Sequence, residues 1–253
     1  MILFVFEGDE REPELYKTLE RLYFPCKNDN IVCSFRNNIY ALYMEMLALE
    51  GDGDIVSVMK GKLAERGERT LEGKRSSDFS EIYLFFDYDF QNSQLSIEEI
   101  NRRVGEMLEM FDEETESGKL YINYPMIESI RYVKELPDER YIEYFVTRED
   151  CHDFKRLASE FSYYDSLDFL LFKEGEKPSH EKYMKISDNW KIQKNMNVQK
   201  ANWLVSGLAT MPTEKSVINQ KAIFKAQREK FVEANDSVSI LNSFPIFVFD
   251  YLR

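Results

Sequence analysis

Residues 81–89 read Glu-Ile-Tyr-Leu-Phe-Phe-Asp-Tyr-Asp, and this stretch decides the fold. The apolar run over 82–86 fits a strand buried on both faces, the situation in a parallel sheet covered by helices. Two carboxylates stand at its end. The chain opens in the same way: residues 2–6 form an apolar run, stopped by Glu7-Gly8-Asp9, and Leu15, Leu19 and Leu22 then recur at helical spacing over 14–22. Pro13 suits the first turn of that helix.

Beyond this helix, 31–35 predicts a strand, 39–49 a helix closed by Gly51-Asp52-Gly53, and 55–59 a further short strand. Residues 60–80, with three glycines and Lys60, Lys62, Arg66, Arg69, Lys74 and Arg75, read as an exposed connection. Ser96 followed by Glu98 and Glu99 predicts a capped helix through Val104, Leu108 and Phe111. A strand at 120–122 and a helix start at Met126 follow. Strands alternating with helices over 1–125 define an α/β unit with a mostly parallel sheet. Beyond about residue 145 the pattern becomes helical, with helices expected over 150–172, 178–190, 195–208 and 214–234. The segment 237–252 reads as a last helix in spite of Pro245. The expected division is an acidic α/β domain, 1–145, and a helical domain, 146–253.

Composition narrows the function classes. A chain of 253 residues that is 43% hydrophobic is neither disordered nor collagen-like. The net charge of −13 argues against a polyanion-binding surface spread over the whole molecule. The charge is uneven: residues 1–150 carry 33 acidic and 18 basic side chains, residues 151–253 carry 13 and 15. Cys26, Cys33 and Cys151 cannot all pair and form no metal-binding motif, so a reducing cytoplasm is the expected setting. They read as structural thiols. His152 and His180 match no ligand spacing and are assigned to the surface or to helix contacts. No run approaches the length of a membrane span.

Carboxylates are therefore the expected chemical groups. Ligands of open α/β folds sit beyond the carboxyl ends of the strands. Three acidic stations fall there: Glu7 with Asp9, Asp87 with Asp89, and Glu128. In a turning loop both side chains of Asp-x-Asp can approach one divalent ion, as an oxygen-rich Mg²⁺ site requires. The plainer reading makes Glu7 and Asp9 acidic caps of the helix that follows.

The segments FVFEGDEREPELY, with Glu7-Gly8, and IYLFFDYDF, with Asp87 and Asp89, resemble the motifs of the Toprim domain, and NYPMIESIRY adds a proline followed by Glu128. The resemblance covers about residues 1–135. It is closer to the stand-alone Toprim nucleases of overcoming-lysogenisation-defect, RloB-like and abortive-infection proteins, although Arg11 stands between acids and no Thr or Ser follows the glycine. It implies a Toprim-like, mostly parallel sheet with flanking helices ahead of the helical domain. It also implies a Mg²⁺-dependent phosphodiesterase, with Mn²⁺ as substitute, acting as a toxic effector in anti-phage defence. Asp87 and Asp89 would then hold Mg²⁺, Glu7 would bind a second ion or assist proton transfer, and Glu128 would take part. The implied partners are DNA or RNA, tRNA included, and an ABC-type ATPase. The alternative is a non-catalytic subunit of such an ATPase complex, and primase-like nucleotidyl transfer ranks third.

Arg11 and Arg131 are the candidate phosphate-facing cations beside these stations. Residues 191–230 carry eight basic against two acidic side chains, and Lys221, Lys225 and Arg228 are the candidate substrate contacts there. Trp190 and Trp203 flank the strip and read chiefly as core anchors. The uneven charge and the many aromatics also predict a homo-oligomer or a stable complex with a partner.

Overall fold

The structure is a computed structural model and describes residues 1–24, 30–49 and 54–252. It is a mixed α/β architecture, a five-stranded sheet flanked by helices and followed by a helical C-terminal region. In chain order the N-terminal elements are β1 (Ile2–Phe6), α1 (Arg11–Tyr23), β2 (Ile31–Ser34), α2 (Ile39–Ala48), α3 (Ile55–Glu65), β3 (Glu81–Asp87), α4 (Ile97–Met110), β4 (Asp112–Glu113) and β5 (Gly118–Asn123). The sheet order is β2-β1-β3-β5-β4, with only β4 antiparallel.

Both central strands are buried along almost their whole length, because helices cover both faces and leave no polar side to the pleat. α4 follows the capping logic of its sequence. Ser96 accepts the Glu99 N–H, and Ile100, Val104, Met107 and Leu108 form the buried face.

The expected strand at 55–59 is instead the first half of α3. Its five apolar residues fit either state, and Asp54 decides the matter by accepting the Ser57 N–H as N-cap. The connection expected over 60–80 is correspondingly shorter, and Leu71 within it is buried. At Met126 the chain enters a 3₁₀ segment, Ile127–Arg131, in place of an α-helix. The closing Gly51-Asp52-Gly53 lies outside the described residues.

The C-terminal region continues with β6 (Phe145–Thr147), α5 (Arg148–Cys151), α6 (Phe154–Phe161), α7 (His180–Ser206), α8 (Gln220–Gln227), α9 (Glu233–Asn235), β7 (Ser237–Ser239) and α10 (Ser243–Tyr251), with a π-helical turn at Arg228–Val232. The helix expected over 150–172 is broken into α5 and α6 and ends at Phe161. The two expected over 178–190 and 195–208 are one helix. α7 carries Gln193, Asn197, Lys200 and Asn202 on its buried side, so its apolar period is interrupted where the helix is not. Gly207 ends it at φ +81.

The last segment holds a strand and a helix, and Pro245 falls in the first turn of α10, where its missing N–H costs no intrahelical bond. Phe244 and Phe247 of α10 lie on the sheet. Their rings sit 4.6 and 5.3 Å from that of Phe85, and Phe247 also meets Phe4, Tyr83 and Tyr121. One hydrophobic cluster accordingly runs from Ile2 to Val248. Trp190 is fully buried and donates to the Leu170 carbonyl, a core anchor, while Trp203 packs near Phe231. Cys33 and Cys151 are buried free thiols, whereas Cys26 lies outside the described residues.

Candidate active site

The carboxyl edge of the parallel sheet is where the acidic stations meet. β1 and β3 are neighbours, with Phe6 opposite Phe85, so Glu7 and Asp87 leave the two strands side by side. The Glu7 N–H continues the ladder to the Phe85 carbonyl at 3.0 Å. The next rung would join the Asp87 N–H to the Glu7 carbonyl, but that carbonyl already accepts the Arg36 N–H at 2.7 Å. The Glu7 side chain takes its place, and Oε2 accepts the Asp87 N–H at 3.0 Å. Asp87 itself is buried and held by Asn123, whose Nδ2 donates to Oδ1 at 3.0 Å.

Asp89 lies two residues on, at φ +51 in the left-handed region, where a short polar side chain is tolerated. The chain therefore turns between the two aspartates. Asp89 is partly buried, and its Oδ1 accepts from Gln91 at 2.7 Å.

Glu12 is the site residue that the sequence reading did not single out. It sits in the first turn of α1, is 4% exposed, and accepts the Gly8 N–H at 3.1 Å. A Cβ on Gly8 would lie 2.8 Å from Glu12 Oε2, so glycine gives this carboxylate its room. The signal was present in the segment EGDEREPEL: an acid four residues beyond a glycine returns over it once a helix begins. Glu128 completes the group from the 3₁₀ segment. Its Oε1 is 3.7 Å from Lys155 Nζ, and Oε2 is buried with no hydrogen-bond partner among the described residues.

Burial first, and crowding after it, raises these carboxyls. Burial, followed by repulsion from Glu7, Glu12 and Glu128, pushes Asp87 well above the usual carboxylate range. Burial also raises Glu7 strongly, with repulsion from Asp89 and Glu12 adding to it and the Asp87 N–H opposing it. Glu12 and Asp89 are raised too, again chiefly by burial, and the Lys155 charge pulls both back. The site can therefore hold protons on carboxyl groups above the pH at which free carboxyls lose them.

The expectation of Mg²⁺ or Mn²⁺ on Glu7, Asp87 and Asp89 is corrected by this geometry. Among the described residues no three His, Cys, Asp or Glu side chains converge on a position for a metal ion. Four of the five carboxylates already have an oxygen committed to a protein donor: Glu7 to the Asp87 N–H, Glu12 to the Gly8 N–H, Asp87 to Asn123 and Asp89 to Gln91.

The basic candidates are spread out. Arg131 donates to the Tyr164 and Asp165 carbonyls at 2.7 and 2.8 Å and so ties down the segment after α6. Arg11 pairs with Glu14 and Arg36 with Asp9. Lys221 bridges Glu109 and Asp112, while Lys225 and Arg228 approach Glu229. Lys200 is buried and donates to the Tyr141 and Tyr144 carbonyls, and Lys215 and Lys230 also donate to backbone carbonyls. His152 and His180 are exposed. Lys155, which sequence reasoning passed over, is the cation whose charge reaches Glu7, Glu12 and Asp89.

The chain matches no family model, no curated protein and no solved structure. Among the described residues no helix is long and apolar enough to cross a membrane.

Proposed function

We propose that the protein is a phosphodiesterase that cleaves nucleic acid at this carboxylate cluster, a Toprim-like effector nuclease in its class. One observation carries the reading: Glu7, Glu12, Asp87, Asp89 and Glu128, from separate segments of the chain, are drawn to one edge of the sheet, where the Glu7 carboxylate replaces a rung of the ladder. Strand ends of an α/β sheet are where substrates are met, and a set of crowded carboxyls, two of them buried, is costly unless it is used. The Glu7-Gly8 and Asp87-x-Asp89 motifs support the same class.

The chemistry is acid–base. A carboxyl that retains its proton gives it to the leaving oxygen, while an ionised neighbour accepts the proton of the attacking hydroxyl. Glu7 and Asp89 are partly open and face the substrate in this reading, with the buried Asp87 and Glu12 setting how protons are shared. Protonation lessens the repulsion that a phosphate meets. Lys155, 76% exposed, supplies positive charge at the rim. RNA fits this chemistry best, because its 2′-hydroxyl is a nucleophile built into the substrate and needs only a base and an acid.

The exposed Met44 and Leu47 of α2 favour a second reading, a subunit that docks on a partner such as an ABC-type ATPase. Cleavage assays on labelled single-stranded RNA, tRNA and duplex DNA separate the two. The first reading expects product from the wild type and a large loss in Glu7→Gln, and the second expects no product from either.

A further inference from the structure

Asn123 ends β5, stands opposite Asp87 in the parallel register, and is fully buried. Its Nδ2 donates to Asp87 Oδ1 at 3.0 Å. Its Oδ1 accepts two hydrogen bonds from Ser243, one from the backbone N–H at 3.0 Å and one from the hydroxyl at 2.7 Å. These contacts leave the amide a single orientation. Flipping it would turn the NH₂ group against the two Ser243 donors and the carbonyl against a carboxylate.

Ser243 is in turn fixed by its place at the start of α10. Asn242 caps that helix by accepting the Phe244 N–H, and its own N–H donates to Asn197 Oδ1 on α7. The Asn242 side-chain amide donates to the Ile127 carbonyl and to Ser129 Oγ, on either side of Glu128. A buried chain of hydrogen bonds thus runs from Asp87 to the C-terminal helices. The charges of other elements that act most strongly on Asp87 are acids: Glu7 from the end of β1, Glu12 from α1 and Glu128 from the 3₁₀ segment. With its neighbours repelling it, a neutral donor held at a fixed place is what sets the direction of its carboxylate.

We infer that Asn123 is a positioning residue for Asp87 and that Ser243, acting through Asn123, brings the start of the C-terminal helix into the apparatus of the site. The inference deepens the phosphodiesterase reading and rests on it for its kinetic test.

That test is a double-mutant cycle on single-turnover RNA cleavage with Asn123→Ser, Ser243→Ala and the double variant. Asn123→Ser should lower the rate at saturating substrate by at least about tenfold with substrate affinity held within about twofold. Ser243→Ala keeps the backbone donor and should cost about threefold. The double variant should be no slower than Asn123→Ser, because Ser243 has no other route to the reaction. Effects that multiply, or that fall on affinity, overturn the inference.

A second measurement needs no activity and remains available if Asn123→Ser fails to fold. In the ¹H–¹⁵N spectrum of the wild type, the Asn123 side-chain amide should be protected from solvent exchange and should shift on Asp87→Ala. Ser243→Ala should speed its exchange by at least about tenfold. An amide that exchanges freely and ignores Asp87→Ala overturns the inference. A protected, responsive amide in a protein that cleaves nothing upholds the positioning and defeats the phosphodiesterase reading alone.

Discussion

Glu7 and Asp87 are joined by a hydrogen bond that a plain parallel ladder would have placed elsewhere: Glu7 Oε2, not the Glu7 carbonyl, accepts the Asp87 N–H at 3.0 Å. The side chain thereby takes the place of a backbone acceptor, and the two strands end with their carboxyl groups in each other's field. A helix-capping role for Glu7 would leave this carboxylate on the N–H groups of α1. The cap of Gly8 is Glu12 instead, and Glu10 at the N-cap position of α1 makes no side-chain capping bond.

The pH dependence of stability follows in sign. Glu7 and Asp87 titrate above their ordinary values of 4.5 and 3.8, so the folded chain binds their protons more tightly than the unfolded chain. Their contribution is fully present below about pH 4 and is lost as pH rises through the folded values. Glu7→Gln keeps an acceptor for the Asp87 N–H and removes the charge. Its melting temperature should match the wild type near pH 4 and exceed it increasingly toward neutrality, as its unfolding free energy gains on the wild type by up to about 1.4 kcal/mol per pH unit. Thermal melts of both proteins across pH 4–8 check this, and a constant difference would refute it.

Gly8→Ala should separate position from stability. The new Cβ comes closest to the far end of the Glu12 side chain, which can swing away, so the melting temperature should fall by only a few degrees. Cleavage should fall about tenfold because Glu12 leaves its place. Adding Glu12→Ala to Gly8→Ala should cost little more, and a second independent loss would show that Glu12 was undisturbed.

Lys155→Ala removes the cation that lowers Glu7, Glu12 and Asp89. Nucleic-acid affinity should weaken and its salt dependence should become shallower by about one phosphate contact, a slope change of about 0.7 for a single strand. Filter binding over a salt series measures it, and an unchanged slope would remove Lys155 from the substrate path.

Arg131→Ala should behave oppositely. Losing two hydrogen bonds from a charged donor should cost about 1–3 kcal/mol of stability in denaturant titration, with affinity for nucleic acid unchanged in what remains folded. A loss of affinity without a loss of stability would restore Arg131 as a phosphate ligand.

Periodicity and punctuation made the sheet legible. The runs ILFVF and EIYLFFD are buried along almost their whole length; Glu7 follows the first directly and Asp87 ends the second. The reading failed where one local pattern fits two states or where the deciding partner is remote. Residues 55–59 are a helix because Asp54 caps them, and α7 continues through Gln193 and Asn197 because those side chains find buried partners far along the chain. Glu7 and the Asp87/Asp89 pair could be named from strand ends. Glu12 needed the return of α1 over Gly8, and Asn123 meets Asp87 only through the β3–β5 pairing, its amide held by Ser243, 120 positions away. The metal expectation assumed that acids at one edge point at one spot, whereas here their oxygens are divided among protein donors.

The central claim, that Glu7 serves the chemistry of this edge, is tested most directly by single-turnover cleavage with wild type and Glu7→Gln. Labelled single-stranded RNA, tRNA and duplex DNA serve as substrates, in parallel reactions with and without added divalent cation, so that the comparison does not depend on ionic conditions. The amide preserves volume and the acceptor for the Asp87 N–H but cannot take up or release a proton as the carboxyl does. The wild type should cleave and Glu7→Gln should lose at least about tenfold in rate, about 1.4 kcal/mol of barrier, with substrate affinity retained. Equal rates for the two proteins on a substrate that the wild type cleaves would contradict the claim.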